Sequence, residues 1–274
     1  MSVEAIKETI SQVEVDDDWE PPMPPTDLIF DDGEPLETNR HRTAMNALIR
    51  SLQQGFADRN DFFTGGNMFV YYSSEQVLNK EFRGPDFFVV LDIDGSYPRQ
   101  GWVVWQENGR YPDVIVELMS RSTAHIDTGK KKDIYERIFK TPDYFVYHPF
   151  NPNSLQGWRM DANDRYQPLE PNERGWLWCQ SLGLWLGTWS GTIEREPAVW
   201  LRFYDRDGNL VPLPEEAAVQ RLEEASQQVE QASQQVEQER QRAEQESQRA
   251  EQERQRAERL AAKLKELGED PDAF

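Results

Sequence analysis

The chain has 274 residues, with 50 Asp and Glu against 30 Lys and Arg, so its formal charge at pH 7 is −20. This balance argues against a general nucleic-acid coat protein and against a membrane-surface binder, because both need a basic face. The single cysteine, Cys179, excludes a disulfide framework and a cysteine-rich zinc module. No apolar run is long enough to span a membrane, and we expect a soluble cytoplasmic protein.

Composition divides the chain into four segments. Residues 1–36 hold an acidic run and a Pro-rich turn, which predict a loosely ordered leader. Residues 37–213 carry most of the aromatic residues and form the predicted globular domain. Residues 214–267 form a predicted long charged helix, and residues 268–274 form a short tail.

The predicted elements of the globular domain follow the order α-β-β-β-α-β. An amphipathic helix begins after Thr38, which can cap it, and ends near Asp58. Three apolar runs are predicted strands, with a short extra strand at 102–105: 67–73, 86–93 and 113–120. A helix over 129–140 and a strand over 143–149 complete the unit, and short strands of a β-rich annex follow. The expected fold class is α+β.

Acidic residues stand at unusual places in two of these strands. The strands open with Pro85-Asp86 and Pro112-Asp113, and the second contains Glu117 among apolar residues. A carboxylate in such a strand is unfavourable unless it is paired, hydrogen-bonded or bound to a cation. Asp113 and Glu117 share a face but lie about 13 Å apart at ~3.3 Å per residue, too far to bind one metal ion together. Asp86 is the expected partner of Glu117 if the two strands are neighbours.

Three lysines, 130–132, occupy the first turn of the next predicted helix, after the expected cap Asp127. Their charge opposes the helix dipole there, so helix stability does not explain them. Lys131 lies four residues before Tyr135, on the side predicted to face the core, and its two neighbouring lysines flank it. We therefore expect Lys131 to point at the carboxylates. The residues predicted to face the core are Ile134, Tyr135, Ile138 and Phe139.

These motifs, in the order found over residues 112–149 and with GPDFFVV and DGEPLETNRHR before them, resemble the Uma-type family of restriction endonucleases. The family lies in the restriction-endonuclease-like superfamily, whose signature is Pro-Asp and then Asp/Glu-x-Lys on the following strand. The resemblance implies that Asp86 is the first acid and Glu117 the second. The chain departs from the signature at Met119, where the strand lysine would stand, and the resemblance implies that Lys131 takes that place from the helix.

The resemblance covers roughly residues 30–213 and implies a nuclease-like domain that hydrolyses phosphodiester bonds, in DNA. It implies that Mg²⁺, or Mn²⁺, is held by Asp86, Glu117 and the backbone carbonyl of Leu118. Lys131 would then assist the attacking water.

Two further acids match residues that recur in the family, and the resemblance assigns them no definite role. They are Asp113 and Glu37, which we take as candidate accessory residues. The alternative function is that of a non-catalytic relative, which acts as an oligomeric interaction module through its C-terminal helix.

The C-terminal segment 222–267 repeats every seven residues and keeps a continuous a/d register. Glu239, Glu246 and Glu253 occupy d positions, so like charges would meet in a parallel in-register dimer. We therefore expect a weak seam. A homo-oligomer formed through this helix and a solvated single helix remain equal alternatives.

Overall fold

The structure is a computed structural model, and it describes these residues: Leu28, 38–73 and 84–266. Three predicted features lie outside the described residues: the leader 1–36 apart from Leu28, the candidate accessory residue Glu37, and the tail 268–274.

The chain divides into two compact units, Met1–Val211 and Pro212–Phe274. In the first unit, helix α1 is Asn39–Gly55 and a helical segment, α2, covers residues 124–139. The described strands are β1 Phe62–Gly65, β2 Val70–Tyr71, β3 Phe87–Leu91, β4 Trp102–Val103, β5 Val114–Leu118, β6 Asp143–His148, β7 Asn151–Met160, β8 Tyr166–Pro168, β9 Leu177–Cys179, β10 Leu184–Ile193 and β11 Glu196–Tyr204.

The central sheet has six strands in the order β1-β3-β5-β6-β7-β8. β3 pairs antiparallel with β1 and with β5, whereas β5 and β6 are parallel and α2 lies in the connection between them. A parallel pair needs such a crossover, because a short hairpin cannot join two strands that run in the same direction. The core elements α1-β1-β3-β5-α2-β6 follow the predicted order α-β-β-β-α-β, and the α+β class is confirmed.

The prediction of a core strand at 67–73 is wrong. The first core strand is β1, which pairs with β3 from Phe62 opposite Leu91 to Gly65 opposite Phe88. Within 67–73 only β2 is a strand, and it pairs in parallel with β4 in a separate two-stranded sheet. β1 has four residues and ends in Thr-Gly, so it shows little apolar alternation in the sequence.

Helix α1 begins where the sequence predicts. The side-chain oxygen of Thr38 accepts a hydrogen bond from the backbone N–H of His41 over 3.4 Å, which satisfies one of the free donors at the helix start. The apolar face of the helix, with Leu48 and Leu52 fully buried, packs against β1, β3, β5 and β11. α1 thus covers the part of the sheet that contains the two acidic strands.

α2 begins five residues before the predicted start and is not a regular α-helix. Two α-helical turns alternate with two π-helical turns, in which the backbone hydrogen bonds reach one residue further: Ala124–Ile126 (α), Asp127–Lys131 (π), Lys132–Ile134 (α) and Tyr135–Phe139 (π). The three lysines therefore lie in the middle of the segment, and their predicted place in its first turn is wrong.

The earlier start also changes the environment of single side chains in α2. Asp127 lies inside the helical segment and is buried, so its prediction as a cap is wrong. Tyr135 and Phe139 face the core as predicted, whereas Ile138 is 45% exposed. A π turn adds a residue and rotates the side chains that follow, which is why simple α-helical spacing misplaces Ile138.

The predicted annex is β-rich, but its strands are longer than the sequence suggests. β7 and β8 extend the central sheet, and β9, β10 and β11 form an antiparallel sheet of their own. β7 and β10 have ten residues each and β11 has nine, so the prediction of short strands is wrong for these three.

The second unit contains the predicted long helix. Helix α3 is Pro214–Glu266, with 53 residues, which corresponds to about 80 Å at ~1.5 Å per residue. Its residues 218–260 are exposed without a break. In the part of the chain that the structure describes, no helix has both the length and the apolar character needed to cross a membrane.

Candidate active site

Asp86 and Glu117 meet where β3 begins and β5 ends. Phe87 lies opposite Val116 in the antiparallel pair, so Asp86, which precedes Phe87, and Glu117, which follows Val116, are neighbours. The backbone N–H of Asp86 donates to Glu117 Oε2 over 3.4 Å, and the backbone N–H of Leu118 donates to Asp86 Oδ2 over 2.7 Å. Each carboxylate is therefore held by a backbone donor next to the other.

The Pro-Asp dipeptide is held in place by the loop before β2. The backbone N–H of Asn67 is shared between the carbonyl oxygens of Pro85, at 3.1 Å, and Asp86, at 3.3 Å. Asn67 has a left-handed backbone, with φ of 46°, a conformation that Asn tolerates better than most residues. Pro85 has no backbone donor and stands just before the strand, where none is needed.

Lys131 reaches these acids from α2. Its Nζ lies 3.0 Å from Glu117 Oε2 and 2.9 Å from Asp127 Oδ1. The side chains of Glu117 and Asp127 are 0% and 2% exposed, and that of Lys131 is 23% exposed. Lys130, one residue earlier, is exposed. The structure therefore brings Lys131 together with Asp86 and Glu117, and the catalytic roles of the three residues stay predictions.

Two residues of this cluster were not predicted to belong to the site. The Tyr135 hydroxyl donates to Glu117 Oε1 over 2.6 Å, and Asp127 pairs with Lys131 as described above. Asp127, Lys131 and Tyr135 are spaced four residues apart, which is the signal that could have identified them as one helical face. The Tyr144 hydroxyl donates to the backbone carbonyl of Asp127 over 2.7 Å and fixes the π-helical turn that positions this face.

Burial and mutual repulsion shift the pKa values of the cluster. Burial, and then the charge of Glu117, raises the pKa of Asp86 well above its usual range. The same two causes raise the pKa of Asp127. Burial alone would lower the pKa of Lys131, but the carboxylates of Glu117, Asp127 and Asp86 outweigh it and raise that pKa. In this cluster one ammonium faces three carboxyl groups, so a further positive charge would be stabilised there.

Tyr135 is a permanent donor at neutral pH. Its side chain is fully buried, and burial followed by the charge of Glu117 raises the pKa of its hydroxyl well above the usual value. The hydroxyl therefore keeps its proton and orients Glu117.

The oxygen atoms of this site could supply some of the ligands that a hard divalent cation needs. Asp86 and Glu117 offer carboxylate oxygens. In a β-strand, the N–H and the carbonyl of one residue point to the same side of the strand. The N–H of Leu118 donates to Asp86, so the carbonyl of Leu118 projects from the same edge of β5. Among the described residues, no group of three or more His, Cys, Asp or Glu side chains is arranged to hold a metal ion. Protein atoms would thus fill only some positions, and waters would fill the rest.

Met119 occupies the position of the strand lysine in the superfamily signature, and it is part of the core. Its side chain is 5% exposed, in a cluster that includes Tyr135. Its backbone carbonyl accepts a hydrogen bond from the ring of His41, 3.2 Å from Nε2. The ammonium near the acids is supplied by Lys131 from the helix instead.

Asp113 lies at the opposite end of β5 from Glu117. Its Oδ2 accepts a hydrogen bond from the backbone N–H of Leu91 over 2.7 Å and lies 3.4 Å from a guanidinium nitrogen of Arg110. The structure does not bring Asp113 to the cluster, and these contacts tie β5 to β3. Its accessory role, and that of Glu37, stay predictions.

Two of three comparisons with known proteins find a similarity. None of the curated proteins matches it. The crystal structure of a putative nuclease from Anabaena variabilis is similar with a TM-score of 0.39 and 10% sequence identity, over 54% of this chain and 76% of that chain. Residues 17–193 match the family Uma2, described as putative restriction endonuclease. The match covers more than half of the chain and confirms the resemblance found in the motifs. The chain therefore belongs to the Uma2 family of putative restriction endonucleases.

Proposed function

We propose that the chain is a metal-dependent endonuclease that hydrolyses phosphodiester bonds in DNA. The observation that carries the proposal is the position of Lys131, whose Nζ lies 3.0 Å from Glu117 while Asp86 and Glu117 are joined through backbone hydrogen bonds. Two acids and one lysine are the chemical groups that such hydrolysis needs. The family description as restriction endonucleases supports DNA as the substrate.

Mg²⁺, or Mn²⁺ in its place, suits the proposed ligands, which are the carboxylates of Asp86 and Glu117 and the carbonyl of Leu118. When bound, such a cation supplies the Lewis acidity that lowers the pKa of water and offsets charge on the phosphate oxygens. The raised pKa of Asp86 supports a cation at this place, because burial and a neighbouring carboxylate both disfavour its ionised form.

Lys131 would act on the substrate through its charge. Its raised pKa keeps the ammonium protonated at neutral pH. Placed beside Glu117, the ammonium would donate a hydrogen bond to the attacking water or to a phosphate oxygen, and would offset the negative charge that grows in the transition state. Asp127 holds Lys131 and Tyr135 holds Glu117, so both groups are oriented before substrate arrives.

One observation favours the non-catalytic alternative. Both oxygens of Glu117 already accept hydrogen bonds within the chain, Oε1 from Tyr135 and Oε2 from Lys131. A buried acid that is satisfied in this way can hold β5 and α2 together without a metal ion. The net charge of −20 also weakens attraction to DNA. The chain would then act as an oligomeric module through α3.

Incubation of the full chain with supercoiled plasmid DNA distinguishes the two functions. The nuclease proposal predicts nicked or linear plasmid in Mg²⁺ or Mn²⁺ and intact plasmid in EDTA. Intact plasmid in all three buffers, with folded protein, would favour the non-catalytic alternative. Cleavage that persists unchanged in EDTA would contradict the metal dependence.

A further inference from the structure

Helix α3 exposes a stripe of large apolar side chains. Residues 218–260 are exposed without a break, and four large apolar residues in this part recur in the seven-residue pattern. Their exposed fractions are Leu222 72%, Val229 70%, Val236 66% and Leu260 54%. The first three occupy a positions and Leu260 a d position, so they share one face. Apolar side chains in such a row are typical of a surface that binds another helix.

The middle of the same face carries three glutamates at d positions, which we call the seam glutamates: Glu239, Glu246 and Glu253. The described ion pairs of this part of α3 join other residues, namely Arg240–Glu237, Arg254–Glu251 and Arg254–Glu258. Within the described residues the seam glutamates have no ion-pair partner. Their carboxylates are therefore available to form ion pairs with a partner helix.

Arginines flank the seam glutamates in a regular way. Each of the three is followed three residues later by an arginine at a g position, and two of them are followed directly by an arginine at an e position. The arginines are Arg242, Arg249 and Arg256 at g, and Arg240 and Arg254 at e. In a parallel two-stranded coiled coil, an e residue lies against the d residue of the partner helix. Glu239 and Glu253 of one copy would thus meet Arg240 and Arg254 of the other.

We propose that α3 binds a second copy of this chain as a parallel, in-register, two-stranded coiled coil. Parallel pairing sets each g residue against the e residue of the next heptad in the partner, which opposes like charges only at Arg249 with Arg254. Antiparallel pairing sets e against e and g against g, and so sets the row of g arginines against itself. A shift by one heptad keeps only two apolar a layers facing each other, and it sets Val236 opposite Ala243 and Leu260 opposite Glu253. Among parallel registers, the in-register dimer alone matches the apolar layers at both ends.

This arrangement changes the expectation of a weak seam. Repulsion between the seam glutamates is offset by the arginines at e and g, and the polar middle selects register and orientation, as buried polar positions do in other coiled coils. The proposal does not depend on the nuclease function, because it uses residues of α3 alone.

The first test is the mass of the full chain in solution. Sedimentation equilibrium should give twice the chain mass of 32.0 kDa. Replacing two a residues, Val229→Glu and Val236→Glu, should shift the protein to monomer. The matched control Gln234→Glu and Gln241→Glu adds the same charge at f positions, outside the seam, and should stay dimeric. A monomeric wild type, or equal behaviour of the two double variants, would overturn the proposal.

The second test is the orientation of the two helices. Ala250→Cys places a thiol at an a position, where in-register parallel helices bring the two copies within disulfide distance. Gln248→Cys, two residues earlier at f, is the control, and Cys179 is buried in both. On mild oxidation the Ala250→Cys protein should form covalent dimers in several-fold greater yield. A dimer by mass that shows no such preference would contradict the parallel in-register arrangement.

Discussion

Replacing Lys131 by Met should destabilise the metal-free protein, because Lys131 is the cation that faces the buried acids. Its Nζ lies 3.0 Å from Glu117 and 2.9 Å from Asp127, whose side chains are 0% and 2% exposed. Methionine keeps the linear shape of the side chain and removes only its charge and donors. The variant therefore leaves two buried carboxyl groups without their ammonium.

The size of the effect follows from the burial of the pair. Removing one partner of a buried ion pair costs about 3–5 kcal/mol, because an uncompensated charge remains. Two features place this case near the lower limit: the Lys131 side chain is 23% exposed, and the raised pKa values of Asp86 and Asp127 allow these acids to bind a proton instead. We expect a loss of about 3 kcal/mol, or roughly 6–12 °C in Tm for a unit of this size.

Urea denaturation in EDTA, followed by tryptophan fluorescence, measures this loss. The matched control is Lys130→Met, which makes the same change at an exposed neighbour and should stay within about 0.5 kcal/mol of wild type. Added Mg²⁺ should recover part of the loss, because a cation that binds only the folded state stabilises it. Equal urea midpoints for the two variants would refute the placement of Lys131 in the cluster.

Three other predictions concern the same unit. Asp86→Asn should make the metal-free protein more stable than wild type at neutral pH. Because the pKa of Asp86 is raised in the folded state, wild type loses stability as the pH rises from about 4 through that pKa. The variant has no carboxyl group at this position and does not lose that stability. Urea midpoints measured against pH should converge at low pH, and a variant that is less stable at neutral pH would contradict this. Tyr135→Phe should cost about 1.5–3 kcal/mol, because it removes the donor at 2.6 Å from Glu117, and Tyr97→Phe at an exposed position should cost far less. A chain that ends at Pro214 should stay folded by circular dichroism and keep its metal-dependent cleavage, and loss of cleavage in a folded fragment would make α3 part of the active assembly.

The acidic strands could be predicted from the sequence because their signal is local. β3 and β5 each follow a Pro-Asp dipeptide and continue as apolar runs, so their bounds agree with the prediction within two residues. The pairing of the two strands could only be stated as a condition, since register depends on contacts between distant parts of the chain. The structure fulfils that condition and places Asp86 beside Glu117.

Lys131 could be located although the start of its helix was predicted wrongly. The four-residue spacing from Lys131 to Tyr135 defines one helical face wherever the helix begins. Asp127 was predicted as a cap and not as a member of the cluster, because Thr128 and Gly129 have low helix propensity and suggest that the helix begins after them. The Tyr144 hydroxyl donates a hydrogen bond to the carbonyl of Asp127 in its π-helical turn, and β1 pairs with β3. Neither contact is visible in a local pattern.

Cleavage of supercoiled plasmid by four matched proteins tests the central claim most directly. They are wild type, Asp86→Asn, Glu117→Gln and Asp133→Asn, each shown to be folded and assayed in Mg²⁺. The first two substitutions remove a proposed ligand and should abolish cation-dependent cleavage, whereas Asp133→Asn neutralises an exposed acid of α2 and should leave it intact. Cleavage at the wild-type rate by Asp86→Asn or Glu117→Gln would contradict the assignment of these acids.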